Sequence, residues 1–366
     1  MKAGILESIE HLVVKEVPDP ELGKGSVILK VRACSICGTD VRTYHWGHPR
    51  VKLPQLLGHE IVGEVEAVAD KIPSFRVGDR VAVTPRIACG ECFYCRKGQH
   101  IYCQNSRTFG YELPGGYAEY LLVPSRGIEY GVLNRIADSL SFEEASLAEP
   151  LSCCLRAQRA SQVSPGDTVV VIGGGPIGIM HCRLARINNA GKVILVEREA
   201  RRMEQVNLAS VDEVVDSVKS PPVETISALT GGRGANVVVV ACSSIEAQEQ
   251  SFVLAGRGGK INFFGGLPPG QSKISIDSNV IHYREVSVQG SHGSTPQDNR
   301  DALDMLARKA LEVGDLITHT FPLDSIEEAF LFAESRVGMH VGICPWLPDY
   351  QQGGCHEARR SSDKRG

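Results

Sequence analysis

Four cysteines crowd one short run, "CGECFYCRKGQHIYC": Cys89, Cys92, Cys95 and Cys103. The steps C-x2-C-x2-C-x7-C let backbone turns aim successive sulfurs at one point, and four thiolates make a closed tetrahedral Zn2+ site of the structural kind. An iron–sulfur cluster uses the same four thiolates and is the competing reading. Scattered core cysteines do not explain so dense a run. Further metal-type side chains are spread along the chain: Cys37 in "CSICGTD", His59 and Glu60 in "GHEIVGEV", and Glu149 in "LAEPLS". Taken singly, each has a plain structural explanation. Cys37 reads as a core thiol or, with Cys34, a redox C-x-x-C; His59 reads as a satisfied core histidine and Glu149 as a helix-start carboxylate.

A third pattern handles phosphate. In "VVVIGGGPIG", Gly173, Gly175 and Gly178 satisfy G-x-G-x-x-G, with Pro176 and Ile177 inside the turn. The first glycine permits the turn, the second lets the backbone approach a pyrophosphate, and the third lets helix and strand pack closely. The helix N-terminus then faces the negative charge. Glu197 ends the next strand at the offset of the acid that holds the ribose hydroxyls, which favours NAD over NADP. Arg198, Arg201 and Arg202 would instead attract a 2′-phosphate, and a solvated helix face explains them as well. "CSS", beginning at Cys242, and "FFGG", containing Phe264, end two later strands and are expected to border the nicotinamide.

The elements that must position these groups fall into two textures. Up to about residue 140 the chain alternates like β-structure, in "GSVILKVRA", "IVGEVEAV", "FRVGDRVAV" and "GGYAEYLLVP", with sparse helical signals. From 152 to 288 short apolar strands alternate with helices, which implies a parallel sheet covered on both faces. Helices are expected at 296–311 and 324–335, then a closing strand in "MHVGICP". The polar segment 346–366, with Cys355 and His356, reads as a disordered tail.

The totals narrow the function. The chain has 366 residues, 22% of them charged, with a net charge of −4. No polybasic surface points to nucleic acid, and no apolar run reaches the ~18 residues of a membrane span. The start lacks the pattern of a secretory leader, so twelve cysteines read as thiols or metal ligands in a cytoplasmic protein.

Together, "GHEIVGEVEAV", "VGDRVAV", the four-cysteine lobe, "AEPLS" and "GGGPIG" resemble the motif set of the zinc-dependent medium-chain alcohol dehydrogenases, from residue 1 to about 345. Glu149 in "AEP" resembles the sorbitol (polyol) branch, where simple alcohol dehydrogenases carry a cysteine. The resemblance implies an α/β protein: a GroES-like β-rich catalytic domain at 1–151 and 289–345, and a Rossmann NAD-binding domain, a doubly wound parallel sheet, at 152–288. It implies catalytic zinc on Cys37, His59 and Glu149, with Glu60 ligating through water or swapping in during turnover. Thr39 would begin a proton relay. Cys89, Cys92, Cys95 and Cys103 would hold structural zinc, giving two Zn2+ per subunit. Cofactor contacts are carried to Gly173, Gly175, Pro176, Ile177, Gly178, Glu197, Arg202, Cys242 and Phe264. The implied reaction is hydride transfer between NAD and a secondary alcohol, a polyol, sugar or cyclitol. An L-threonine or butanediol dehydrogenase of the same family and a non-catalytic NAD-binding zinc protein are the alternatives. A homo-oligomer, tetramer before dimer, is expected. Tyr44, His45, Trp46 and His48 are candidates for the pocket wall.

Overall fold

The computed structural model describes residues 1–348 apart from Lys71, Asn207 and Pro269. The chain divides into two compact units: Met1–Glu149 with the segment from Gly314 onward, and Pro150–Val313.

The first unit is built on a seven-stranded sheet. Its path runs Leu133–Arg135, Arg80–Val83, Glu60–Val68, Val27–Ser35, His340–Ile343, Ile317–Phe321, and Tyr120–Val123 also pairs with Val27–Ser35. Alternating apolar residues put Val27, Leu29 and Val31 on one buried face, packed with Phe109, Tyr117, Phe321 and Phe330. Register matters most at one end. Ser35 is opposite Glu60 on one side and Gly342 on the other, so a strand returning from the end of the chain is set beside the "GHE" motif. Gly58, before His59, has φ +94, and a Cβ there would press within 2.8 Å of Cys34 Sγ. Only glycine accepts both that backbone and that contact.

The second unit is a six-stranded, all-parallel sheet in the order Glu213–Asp216, Lys192–Glu197, Thr168–Ile172, Ala235–Val240, Ala255–Phe263, Ser287–Gly290. The order 3-2-1-4-5-6 is that of a Rossmann sheet, with its reversal beside the first strand. Val169, Val170 and Val171 are wholly buried, as an apolar strand covered on both faces requires.

Three boundaries differ from expectation. The second unit runs to Val313, not 288, because Ser287–Gly290 pairs with Lys260–Phe263 as an edge strand and the helix Pro296–Ala307 stays with it. "SVQG" is short and polar, as edge strands are, so periodicity does not mark it. A nine-residue helix, Gly38–Trp46, interrupts the β-rich region. Its apolar residues are few, and it is fixed by a capping box rather than by an amphipathic stripe. The tail does not begin at 346. Trp346 donates its ring N–H to Val31 O at 2.8 Å and carries Lys30 over its ring. From Asp349 on, the expected disorder lies outside the described residues.

Candidate active site

Cys89, Cys92, Cys95 and Cys103 bring their sulfurs within 4.8 Å of one another. Cys89 and Cys95 are 3.9 Å apart, as are Cys92 and Cys103. Four sulfurs at ~2.3 Å from one ion would be ~3.8 Å apart, so the spacing fits a single zinc. A four-iron cluster would place each thiolate on a different iron and a two-iron cluster would divide them two and two, and either would spread the four sulfurs wider than one ion does. The chemistry of the donors agrees. Backbone N–H groups of Cys95 and Gln104 pull Cys92 down to about 6, so this thiol ionises readily. Burial pushes Cys95 up to about 12 when its charge is not compensated. All four are free thiols.

Cys37, His59 and Glu60 form the second group, again within 4.8 Å. Cys37 is the N-cap of Gly38–Trp46, and its N–H donates to Asp40 Oδ2 at 3.2 Å. Asp40 is almost fully buried and serves three partners. Its Oδ1 lies 3.2 Å from His59 Nδ1, and its Oδ2 also accepts from Tyr117 OH at 2.8 Å. With Nδ1 turned to Asp40, Nε2 is the edge of His59 left for a metal. Burial alone would lower His59, yet Asp40 and Cys37 together hold it well above its usual value. A donor set negative enough to keep a proton on a buried imidazole is suited to a cation.

Glu149 lies outside this trio, in the first turn of Ala148–Ser161. Its charge acts on the Tyr111 phenol together with those of His59, Cys37 and Asp40. The structure therefore gathers three of the four expected catalytic ligands and leaves Glu149 in their neighbourhood.

In the second unit the glycine turn follows Thr168–Ile172 and opens the helix Pro176–Ile187. A Cβ at Gly178 would collide with the Gly173 carbonyl, which is the close packing the third glycine exists to allow. Glu197 is 4% exposed. Its Oε2 accepts from Gly174 N at 2.5 Å, and its Oε1 accepts from Arg198 N at 2.6 Å and Glu199 N at 2.9 Å. Arg202 packs beside Gly175, where a Cβ would meet its Nη1 at 3.3 Å. Cys242 flanks Gly173, while Phe264 follows the strand Ala255–Phe263 and sets its ring 4.9 Å from that of His181.

Residues 23–130 match the alcohol dehydrogenase GroES-like domain, and residues 176–308 match the zinc-binding dehydrogenase domain. The L-threonine 3-dehydrogenase of Bacillus subtilis is 33% identical over 87% of this chain and 90% of its own length. This chain belongs to the zinc-containing medium-chain alcohol dehydrogenase family. A sorbitol dehydrogenase of Halalkalibacterium halodurans is 30% identical over 92% of this chain and 96% of its own. A zinc-binding dehydrogenase of Sinorhizobium meliloti, solved with NADP, is 33% identical and superposes with a TM-score of 0.88 over 94% of this chain and 99% of its own. The medium-chain dehydrogenase fold thus carries a four-cysteine structural zinc site, a Cys/His/Glu catalytic site and a nicotinamide dinucleotide site in this chain.

Of the four pocket candidates, only His48 borders this dehydrogenase's metal trio. Its ring is 4.6 Å from Tyr111, whose ring is 5.8 Å from His59. Tyr44 is core, packed on Phe330, and His45 lies between Glu10 and Glu334. Trp46 is 66% exposed. Thr39 Oγ1 accepts from Arg42 Nη2 at 3.0 Å. Sequence reasoning misses Asp40, Tyr111 and Tyr117. Asp40 does carry a signal, since it stands three residues after Cys37 at the capping-box position. Tyr111 lies in a turn without periodicity and gives none, and Tyr117 falls in the alternating stretch "GGYAEYLLVP", where the pattern announces a strand but not a partner for the hydroxyl.

Proposed function

We propose that the chain oxidises a secondary alcohol carrying neighbouring hydroxyls, a polyol, sugar or cyclitol, with NAD as hydride acceptor. The Cys37–His59–Glu60 group backed by Asp40 carries this reading. When bound, zinc supplies a Lewis acid that acidifies an alcohol, and the nicotinamide supplies a hydride acceptor. Cys37 and His59 hold the metal, Asp40 keeps His59 in its ligating orientation, and Glu149 completes the set. Thr39 relays the alcohol proton, its Oγ1 accepting that proton as the hydroxyl gives up its own toward solvent, while Arg42 donates to Oγ1 and, always protonated, does not accept the proton itself.

The polar wall supports a polyol. Among the described residues the Tyr111 hydroxyl has no hydrogen-bond partner, and burial keeps it protonated. It is free to bond a second substrate hydroxyl, with His48 beside it. Glu149 in place of a thiolate makes the ligand set harder, in keeping with an oxygen-rich site. Glu197 supports NAD, because its carboxylate stands at the strand end beside the glycine turn, where a 2′-phosphate would be repelled. The 33% identity to an L-threonine 3-dehydrogenase favours an amino alcohol as the second reading. The test is NADH formation over polyols, cyclitols, simple secondary alcohols and L-threonine, with NAD and NADP, before and after chelation. Chelator-sensitive turnover on polyols with NAD is expected. Turnover confined to L-threonine would select the second reading.

A further inference from the structure

His48 and Tyr111 stand side by side next to the metal trio. Their rings are 4.6 Å apart, and the Tyr111 ring is 5.8 Å from that of His59. One backbone contact fixes the proton on His48. Arg50 N lies 3.2 Å from His48 Nδ1. A backbone amide only donates, so Nδ1 accepts, and the neutral imidazole carries its proton on Nε2. Burial and the Arg50 charge act in the same direction, both lowering His48 from its usual value. The segment that sets this tautomer is itself held. Both oxygens of Glu112 grip the Arg50 guanidinium, at 2.7 and 2.9 Å, and the guanidinium also donates to Thr108 Oγ1 at 3.0 Å. The same cation lies 5.4 Å from the centre of the Tyr111 ring. A brace between Arg50 and Glu112 therefore supports both side chains. Among the described residues, neither His48 Nε2 nor the Tyr111 hydroxyl has a hydrogen-bond partner.

We propose that His48 is a specificity-determining residue: its Nε2–H donates to a hydroxyl on the carbon beside the reacting one, and that hydroxyl donates in turn to Tyr111 Oη. This deepens the polyol reading and rests on it. The two wall groups differ in what they ask of a substrate. His48 Nε2–H only donates, whereas a phenol both donates and accepts. A hydroxyl satisfies both at once, accepting from the first and donating to the second. A methylene satisfies neither and leaves two polar groups unmet. An ammonium has no lone pair, so it would set N–H against N–H at His48. A carboxylate would accept from both, but it would bring a charge beside Cys37, Asp40 and Glu60 while the Arg50 charge is already matched by Glu112. The wall thus selects a neighbouring hydroxyl over the amino group that L-threonine carries next to its alcohol carbon.

The experiment uses the zinc-loaded full chain and three probes on one carbon skeleton: butane-2,3-diol, butan-2-ol and 3-aminobutan-2-ol. The quantity measured is the ratio of kcat/KM for the diol to kcat/KM for each of the other two. His48→Leu, His48→Gln, Tyr111→Phe and the His48→Leu/Tyr111→Phe double variant are compared with wild type. Wild type should prefer the diol over both. His48→Leu should lower the diol-to-butan-2-ol ratio by about tenfold to a hundredfold, the scale of one donor left unmet. His48→Gln, which restores an N–H donor, should recover most of the ratio. In the Tyr111→Phe background the Leu substitution should cost less than it does alone, because both groups bond the same hydroxyl. A loss of stability alone would slow all three probes together and leave the ratios in place. An unchanged ratio in His48→Leu, no recovery in His48→Gln, or strictly additive effects at the two positions would each overturn the role of His48 while leaving the polyol reading intact. Turnover confined to the amino alcohol would overturn the polyol reading itself, and this inference with it.

Discussion

Asp40 accepts from the Cys37 amide and the Tyr117 hydroxyl with one oxygen and sets the other 3.2 Å from His59 Nδ1. Such a residue is worth more to the site than its own charge, because it fixes both the ligand cysteine's backbone and the ligand histidine's edge. Asp40→Asn should weaken zinc at the catalytic site by about 10–100-fold while leaving the zinc of the four-cysteine lobe in place. Metal titration with both sites resolved checks this, and equal loss from the two sites would refute it. Cys37→Ser should abolish turnover yet leave cofactor affinity within about twofold of wild type, since Cys37 belongs to the first unit and the glycine turn to the second. Fluorescence titration with NADH measures it. At this scale the sequence exposes residues whose type and spacing announce chemistry, such as Cys37, His59 and Gly173. It hides Tyr111, Tyr117 and His340, whose Nε2 lies 2.8 Å from Glu60 Oε2, because each matters through where a distant segment returns.

At the scale of elements, the short helix Gly38–Trp46 carries Cys37 and Thr39 at one end and His45 at the other. His45 bridges Glu10 at 2.6 Å and Glu334 at 2.9 Å, with the Tyr44 and Trp46 rings beside it. The bond to Glu10, with Glu334 adding, raises His45 above its usual value against the cost of burial. A raised folded-state value means the pair stabilises fully below the unfolded histidine range of ~6.5 and is lost as pH rises through the folded value. The stability gap between wild type and His45→Gln in urea should therefore narrow as pH is raised through that value. A gap that widens with pH would reverse the assignment. The cysteine lobe has almost no core besides Ala88 and its own sulfurs, with Tyr130 packed against it. Cys95→Ser should open its closed site and lower the melting temperature, with chelator-accessible zinc rising. Catalysis lost at undiminished stability would mean the two metal roles are exchanged.

Among the described residues, each of the two units has a large hydrophobic core of its own. One gathers Val27, Phe109, Tyr117, Phe321 and Phe330 in the first unit, and the other gathers Val170, Ile194, Val238 and Ile261 in the second. The second core is legible because buried parallel strands are continuous apolar runs, and "VVVI", "VILV" and "VVVV" stand out as such. The first is harder to read, since its sheet is completed by Ile317–Phe321 and His340–Ile343 after an insertion of the whole second unit. Local periodicity records that these are strands but not which sheet receives them. The same division sets how ligands should act on stability. The metal trio and the cysteine tetrad both lie in the first unit, and the glycine turn with Glu197 lies in the second. A ligand stabilises the unit that binds it, by ~2.7 kcal/mol at a hundred times its dissociation constant. Calorimetry should thus show chelation lowering one transition and saturating NAD raising another. If both ligands instead move a single shared transition by their summed energies, the two cores unfold as one cooperative body, and the division seen in their contacts is not a division in stability.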